Sequence, residues 1–244
     1  MRNSFPALAT TVSTVTTSAS GTDNGTGTGT RPALLLAHGA TGSIEGNFAP
    51  VLPALTAAHT VVAPDYPGSG ATPVADAPLT LDDLADAVVD SAVQHGVGRF
   101  AILGFSLGTL VAVRAAVRHP ERVTALVLTA GFARPDDHLL GLLPGWRAEV
   151  APALHPHIDL IPSLDTTGDL AKVTVPTLVV ATTADTMVLP EGSRALADGI
   201  RGARYTEIHS DHVVMVDRPE EWLKPVLDFL RSLSLSDGQG GEVA

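Results

Sequence analysis

Phe100-Ala101-Ile102-Leu103-Gly104-Phe105-Ser106-Leu107-Gly108 decides the fold. Its first four residues are an uninterrupted apolar run, the mark of a strand covered on both faces. Residues 107–118 then read as a helix, closed by His119-Pro120. A serine with glycines two positions away on either side is a common pentapeptide, so its setting between a buried strand and a helix carries the argument. Such a turn is very sharp. It strains the serine backbone and admits the neighbouring chain only where the residues two before and two after lack a Cβ, which Gly104 and Gly108 do. It also leaves Ser106 at the amino end of a helix, where free N–H groups, Leu107 first, can stabilise a negative oxygen. A capping serine in a glycine-rich turn is the plainer reading; the flanking elements favour a nucleophile.

Outward from this elbow, short apolar runs recur with helical segments between them. Six strands are expected, over 33–37, 60–63, 100–104, 125–129, 177–181 and 204–209. Thr80 followed by Leu81-Asp82-Asp83 reads as an N-cap with acid in the first turn. Leu81, Leu84, Ala85, Val88 and Ala92 fall on one face, and Gly96 ends the helix. A further helix is expected over 219–232, with proline in its first turn. The alternation predicts an α/β fold, a doubly wound and mostly parallel sheet flanked by helices. Residues 131–172 interrupt it with Pro135, Pro144, Pro152, Pro156 and Pro162 and are expected to be a short, irregular lid. The core is thus divided into residues 31–130 and 173–234. Residues 1–30, rich in Thr, Ser and Gly, hold at best an edge hairpin with a strand over 11–17. Residues 235–244 are expected to be a disordered tail.

The whole chain has 244 residues, enough for one large domain, and 45 % of them are hydrophobic while only 4 % are aromatic, so the core must be built from Val, Leu, Ile and Ala. A net charge of -11 argues against nucleic acid or an anionic membrane as partner. Zero cysteines exclude disulfides and thiolate metal sites. No apolar run is long enough for a membrane span and the N-terminus lacks a signal-peptide core, so a cytoplasmic protein is expected. The oligomeric state is left open.

Three stretches taken together, Leu34-Leu35-Leu36-Ala37-His38-Gly39-Ala40-Thr41-Gly42-Ser43, Val61-Val62-Ala63-Pro64-Asp65-Tyr66-Pro67-Gly68-Ser69-Gly70 and the elbow, resemble the α/β-hydrolase superfamily in order and spacing from about Arg31 to Leu233. Within it the chain is most similar to small serine esterases, cofactor-free haloperoxidases and carbon–carbon bond hydrolases. The resemblance implies roles. The base lies after the last strand, which puts it at His212, with His209 as rival in the strand itself. The orienting acid lies after the penultimate strand, at Asp185, where this chain has Ala181 in place of the family's usual glycine at the start of the turn. Asp211, standing where a glycine is often found, is the second choice. His38 is read as support for the oxyanion loop. The second oxyanion donor falls on Ala40, or Thr41 if the turn is shifted, beside Leu107. His155 and His157 are taken as solvated.

Ser106, His212 and Asp185 imply acyl transfer: a carboxylic ester or lactone is cleaved through an acyl-enzyme. No cofactor and no metal is called for, since no metal-ligand spacing occurs, and serine at the elbow speaks against the aspartate-dependent epoxide hydrolases and dehalogenases of the same fold. The partner is then a small-molecule, ester-like substrate with a small apolar acyl group. Phe105, Phe132 and Trp146 are candidate substrate-binding residues, together with Leu139, Leu140, Leu142 and Leu143 of the lid, although the same residues serve equally well as core. Two alternatives stay open at this point: a carbon–carbon bond hydrolase or non-hydrolytic biosynthetic enzyme using the same residues, and an inactive, ligand-binding member of the fold.

Overall fold

The structure, a computed structural model, describes residues 5–13 and 32–237. Its frame is a seven-stranded sheet of order β1-β3-β2-β4-β5-β6-β7. The strands are β1 (Thr10–Ser13), β2 (Ala33–Ala37), β3 (Thr60–Pro64), β4 (Phe100–Phe105), β5 (Val123–Thr129), β6 (Thr177–Thr182) and β7 (Arg204–Ile208). All neighbouring pairs are parallel except β1 with β3, which is antiparallel. The six expected strands are present with ends moved by a residue or two. The seventh, β1, is the only part of the 11–17 expectation that can be compared, because residues 14–31 lie outside the described residues. β1 is tied to the sheet by Asp65 N–H donating to Ala9 O at 3.0 Å and Ala9 N–H donating to Thr72 Oγ1 at 2.8 Å.

Continuous apolar strands alternate their side chains between two covered faces. Leu35, Ala37, Val62 and Ile102 join α3 (Leu81–Gln94), α4 (Leu107–Arg118) and α7 (Pro190–Gly199) in one core. Leu34, Leu36, Leu103 and Val127 join α1 (Ile44–Phe48), α2 (Leu52–Ala58), α8 (Val214–Asp217) and α9 (Pro219–Asp237) in the other. Thr80 caps α3 as its sequence predicts, accepting from Asp83 N–H. α9 runs to Asp237, past the expected end at 232 and into the stretch expected as a tail, because Leu233 still packs on the core and the apolar stripe has not ended. Residues 238–244 lie outside the described residues.

The lid corrects one expectation. It is mostly helical rather than irregular, with α5 (Asp137–Glu149), α6 (His155–Leu160) and three single 3₁₀ turns, Pro152–Leu154, Ile161–Ser163 and Leu170–Lys172. Its prolines punctuate instead of breaking: Pro152, Pro156 and Pro162 occupy first-turn positions, where the missing N–H costs nothing. Pro144 lies inside α5 on the exposed side, and Asp136 starts that helix by accepting from Leu139 N–H at 2.8 Å.

The chain leaves β2 toward one face and one edge of the sheet, and leaves β4 toward the other face and the other edge. The carboxyl ends of β2 and β4 therefore flank a topological switch point, where an open α/β sheet forms a crevice.

Candidate active site

Ser106 occupies the crevice between β4 and α4. Its backbone has φ 52° and ψ -118°, a strained conformation for a residue with a Cβ. The strain is held by hydrogen bonds from Ser106 N–H to Thr129 O at 3.0 Å, from Thr109 N–H to Ser106 O at 2.9 Å and from the Thr109 hydroxyl to the same oxygen at 2.7 Å. The flanking glycines are required by contact. A Cβ on Gly108 would lie 1.9 Å from Ala37 O, and one on Gly104 would lie 2.3 Å from Gly108 O.

His212 follows β7 on a loop that turns back over the sheet. Its Nε2 is 3.1 Å from Ser106 Oγ and its Nδ1 is 2.6 Å from Asp185 Oδ2. Since a carboxylate only accepts, Nδ1 carries the proton toward Asp185 and Nε2 is left to accept from the serine hydroxyl. The Phe105 ring packs against the imidazole at 4.9 Å between centroids and also touches Gly39, where a Cβ would meet it at 2.9 Å. Phe105 is thus core beneath the histidine rather than a wall of the substrate cleft.

Asp185 is buried just beyond β6. Oδ2 also accepts from the Thr182 hydroxyl at 2.9 Å, while Oδ1 accepts from Met187 N–H and Val188 N–H at 2.9 Å each. Burial pushes its carboxyl up, and the hydrogen bonds from His212 and the two amides outweigh that, leaving it below the usual range. Asp211 is elsewhere: it accepts from His212 N–H, away from the imidazole. His209 is exposed beside the Thr183 hydroxyl.

The loop after β2 lies next to Ser106. Gly39 N–H donates to Asn47 Oδ1 at 3.0 Å, Thr41 N–H to His157 Nδ1 at 2.9 Å and Gly42 N–H to Gly39 O at 3.3 Å. Ala40 N–H has no hydrogen-bond partner among the described residues, and Leu107 N–H is the first, unpaired donor of α4. Of the two positions weighed for the second donor, Thr41 is already engaged. His38 is fully buried with its Nδ1–H directed to Gly39 O at 2.8 Å and its Nε2 accepting from Tyr66 N–H at 2.9 Å; burial pushes it down to about 3, so it stays neutral.

His157 is the second correction. Expected in solvent, it is fully buried between the lid and the two loops that follow β2 and β3. Nothing near it in sequence signals this, because its partners Thr41 and Pro67 are 116 and 90 residues away. His155, by contrast, is half-buried at the start of α6.

A narrow apolar cleft opens on Ser106, lined by Ala40, Leu107, Phe132, Leu139, Trp146 and Met187 among others. Of the other lid leucines, Leu143 is core and Leu142 is exposed. A wider groove runs along the other side of His212, past Gly46, Asp211 and Val216. Among the described residues no three His, Asp or Glu side chains are grouped to hold a metal ion, and no helix is long and apolar enough to cross a membrane.

The sequence profile described as alpha/beta hydrolase fold matches residues 32–160. The pyrrolizixenacetamide deacetylase of Xenorhabdus hominickii is 29 % identical over 84 % of this chain and 92 % of its own length. A pimeloyl-[acyl-carrier protein] methyl ester esterase of Neisseria meningitidis is 42 % identical over a shorter stretch, 41 % of this chain and 37 % of the esterase. Among solved structures, a hydrolase from Pseudomonas aeruginosa PA01 superposes with a TM-score of 0.77 at 24 % identity, covering 93 % of this chain and 97 % of that one, a likeness of fold. A profile that spans more than half the chain, over a sheet and elbow of this kind, establishes that the protein belongs to the α/β hydrolase fold family.

Proposed function

We propose that the protein is a serine hydrolase that cleaves carboxylic esters or lactones with a small apolar acyl group. The observation that carries this reading is the continuous run Asp185 Oδ2, His212 Nδ1, His212 Nε2, Ser106 Oγ, at 2.6 and 3.1 Å, on a strained elbow. Ser106 Oγ attacks the substrate carbonyl carbon while His212 Nε2 takes the hydroxyl proton, and Asp185 holds the imidazolium that results. The carbonyl oxygen, now negative, receives hydrogen bonds from Leu107 N–H and Ala40 N–H, each such donor typically worth about 3 kcal/mol of barrier. His212 then gives its proton to the departing alcohol oxygen, leaving Ser106 acylated. Water, deprotonated by His212, attacks the acyl carbon; His212 returns that proton to Ser106 Oγ as the acid departs.

The cleft supports the small acyl group. Its walls beside Ser106 are apolar, from Phe132, Leu139 and Trp146, and they leave little free space between them, which suits a short acyl chain over a long one. Two relatives carry names that fit the reading, one a deacetylase and one a methyl ester esterase.

A fluorophosphonate probe tests the chemistry, because it reacts with an activated serine and not with an ordinary one. Labelling of the wild type that vanishes in Ser106→Ala and falls sharply in His212→Ala is expected. A folded wild type that resists the probe would sink the proposal and favour a ligand-binding member of the fold.

A further inference from the structure

Four consecutive backbone N–H groups border the candidate nucleophile, from Gly39 to Gly42, and three are engaged. Asn47 takes the first, the turn itself takes the last, and the third, of Thr41, is taken by a side chain from the lid, His157. The partners of that ring leave one tautomer. Thr41 N–H can only donate, so Nδ1 must be bare. Pro67 O can only accept, so Nε2 must carry the proton it shares at 2.8 Å. Burial pushes the His157 imidazole down, which keeps Nδ1 free to accept.

Thr41 also has a positive φ of 57°, a conformation that is unfavourable for a residue with a Cβ and persists only where its surroundings over-determine it. The His157 hydrogen bond is the contact made by that residue's own amide. If Thr41 relaxed, the peptide planes on either side of it would rotate; the first of them carries the carbonyl of Ala40, so that residue, whose N–H is the donor left unpaired beside Ser106 and Leu107, would shift with the turn.

The geometry points to His157 as a positioning residue: from the lid it captures Thr41 N–H and so holds the turn in the form that presents Ala40 N–H to the reaction's negative oxygen. This rests on the reading of Ser106 as nucleophile. It makes the lid part of the catalytic apparatus and not only a cover, since α6 and the loop after β2 share one hydrogen bond and the loop after β3 supplies the other end of the ring.

Two substitutions separate the ring's two bonds. Asparagine places an amide oxygen near the position of Nδ1 and keeps an acceptor for Thr41. Glutamine places its amide NH₂ near Nε2 and keeps only the donor to Pro67. Wild type, His157→Asn and His157→Gln are compared on 4-nitrophenyl acetate, with circular dichroism on each. In the Gln variant kcat falls roughly 10–100-fold with KM little changed, and affinity for phenylboronic acid, whose oxygen enters the oxyanion hole, falls in parallel. In the Asn variant kcat stays within about threefold of wild type. Equal losses in both variants, a loss confined to KM, or full activity in the Gln variant overturns the role.

Should the Gln variant not fold, amide exchange in the wild type decides. Thr41 N–H is protected, and Ala40 N–H exchanges fast until phenylboronic acid binds. A slow Ala40 or a fast Thr41 in the free protein overturns the role as well. A wild type that fluorophosphonate does not label removes the nucleophile reading and this inference together; a labelled wild type with indistinguishable Asn and Gln variants removes the inference alone.

Discussion

Asp185 and His212 meet through a 2.6 Å hydrogen bond in which every lone pair of the carboxylate that faces protein is already assigned. Thr182, Met187 and Val188 fix the carboxyl in one orientation, so the imidazole is oriented by a group that cannot itself turn. Thr182 is the last residue of β6 and Met187 and Val188 lie in the turn that follows it, which makes the end of β6 the element that aims the histidine.

Asparagine at position 185 removes the charge and offers an NH₂ where an acceptor is needed, which favours the wrong imidazole tautomer. Asp185→Asn is expected to lower kcat/KM on a short-chain ester about 10³–10⁴-fold. Asp211→Asn, which alters only a contact to His212 N–H on an exposed residue, is expected to change it less than about threefold. Steady-state kinetics on the two variants distinguishes the acid from its neighbour; comparable losses would mean that Asp211 shares the role.

Gly108→Ala tests the elbow as a packing requirement. The added methyl would lie 1.9 Å from Ala37 O and 2.6 Å from its carbonyl carbon, both backbone atoms of a central strand that has no room to withdraw. Overpacking against backbone is expected to destabilise the protein by about 3–5 kcal/mol. Urea unfolding reads this directly, and a midpoint unchanged from wild type contradicts the packing argument whatever happens to activity.

What the sequence discloses and what it conceals divide by the range of the interactions. Ser106 is legible because strand, glycines and helix are contiguous, and α3 because its cap and stripe lie within one segment. Asp185 and His212 are found by their order after particular strands, a rule that a family resemblance supplies and composition does not. The lid is misread because proline is a poor guide without its position: at the first turn of a short helix it is neutral, and only the three-dimensional chain reveals which positions those are. His157 is unreadable for a different reason. Its donor and acceptor belong to loops that approach the lid only once the sheet is assembled, so a lone histidine beside proline carries no local signal.

Trp146, on α5, lines the cleft on Ser106 together with Phe132 and Leu139. These side chains leave the cleft little free space, so shortening the largest of them enlarges the room available to an acyl chain. Trp146→Ala is expected to raise kcat/KM for octanoyl relative to acetyl esters by at least about tenfold, the range that one or two accommodated methylenes provide. A panel of 4-nitrophenyl esters measures the ratio; a proportional loss for all chain lengths would identify Trp146 as lid packing instead.

Acid should weaken the fold well before its carboxylates titrate. Burial lowers His38 to about 3 and also lowers His59 and His157 from the ordinary 6.5, so each stays neutral in the folded chain where the unfolded chain would bind a proton. The sign follows from linkage: with more protons on the unfolded state, stability is complete above pH 6.5 and falls as pH drops below it, toward about 3 for His38. Each such histidine contributes a slope of about 1.4 kcal/mol per pH unit within its window. Asp65 acts in the other direction, because burial raises its carboxyl and the folded chain holds that proton to a higher pH, but it is one group against three. Below pH 6.5 the unfolding free energy from urea titrations is expected to decline, with protons taken up on unfolding. In His157→Asn that uptake is smaller, while the other two histidines keep theirs. A stability that is flat from pH 6.5 to 5 would mean that these rings are hydrated or already protonated in the folded protein, and would remove the neutral His157 on which the docking of Thr41 depends.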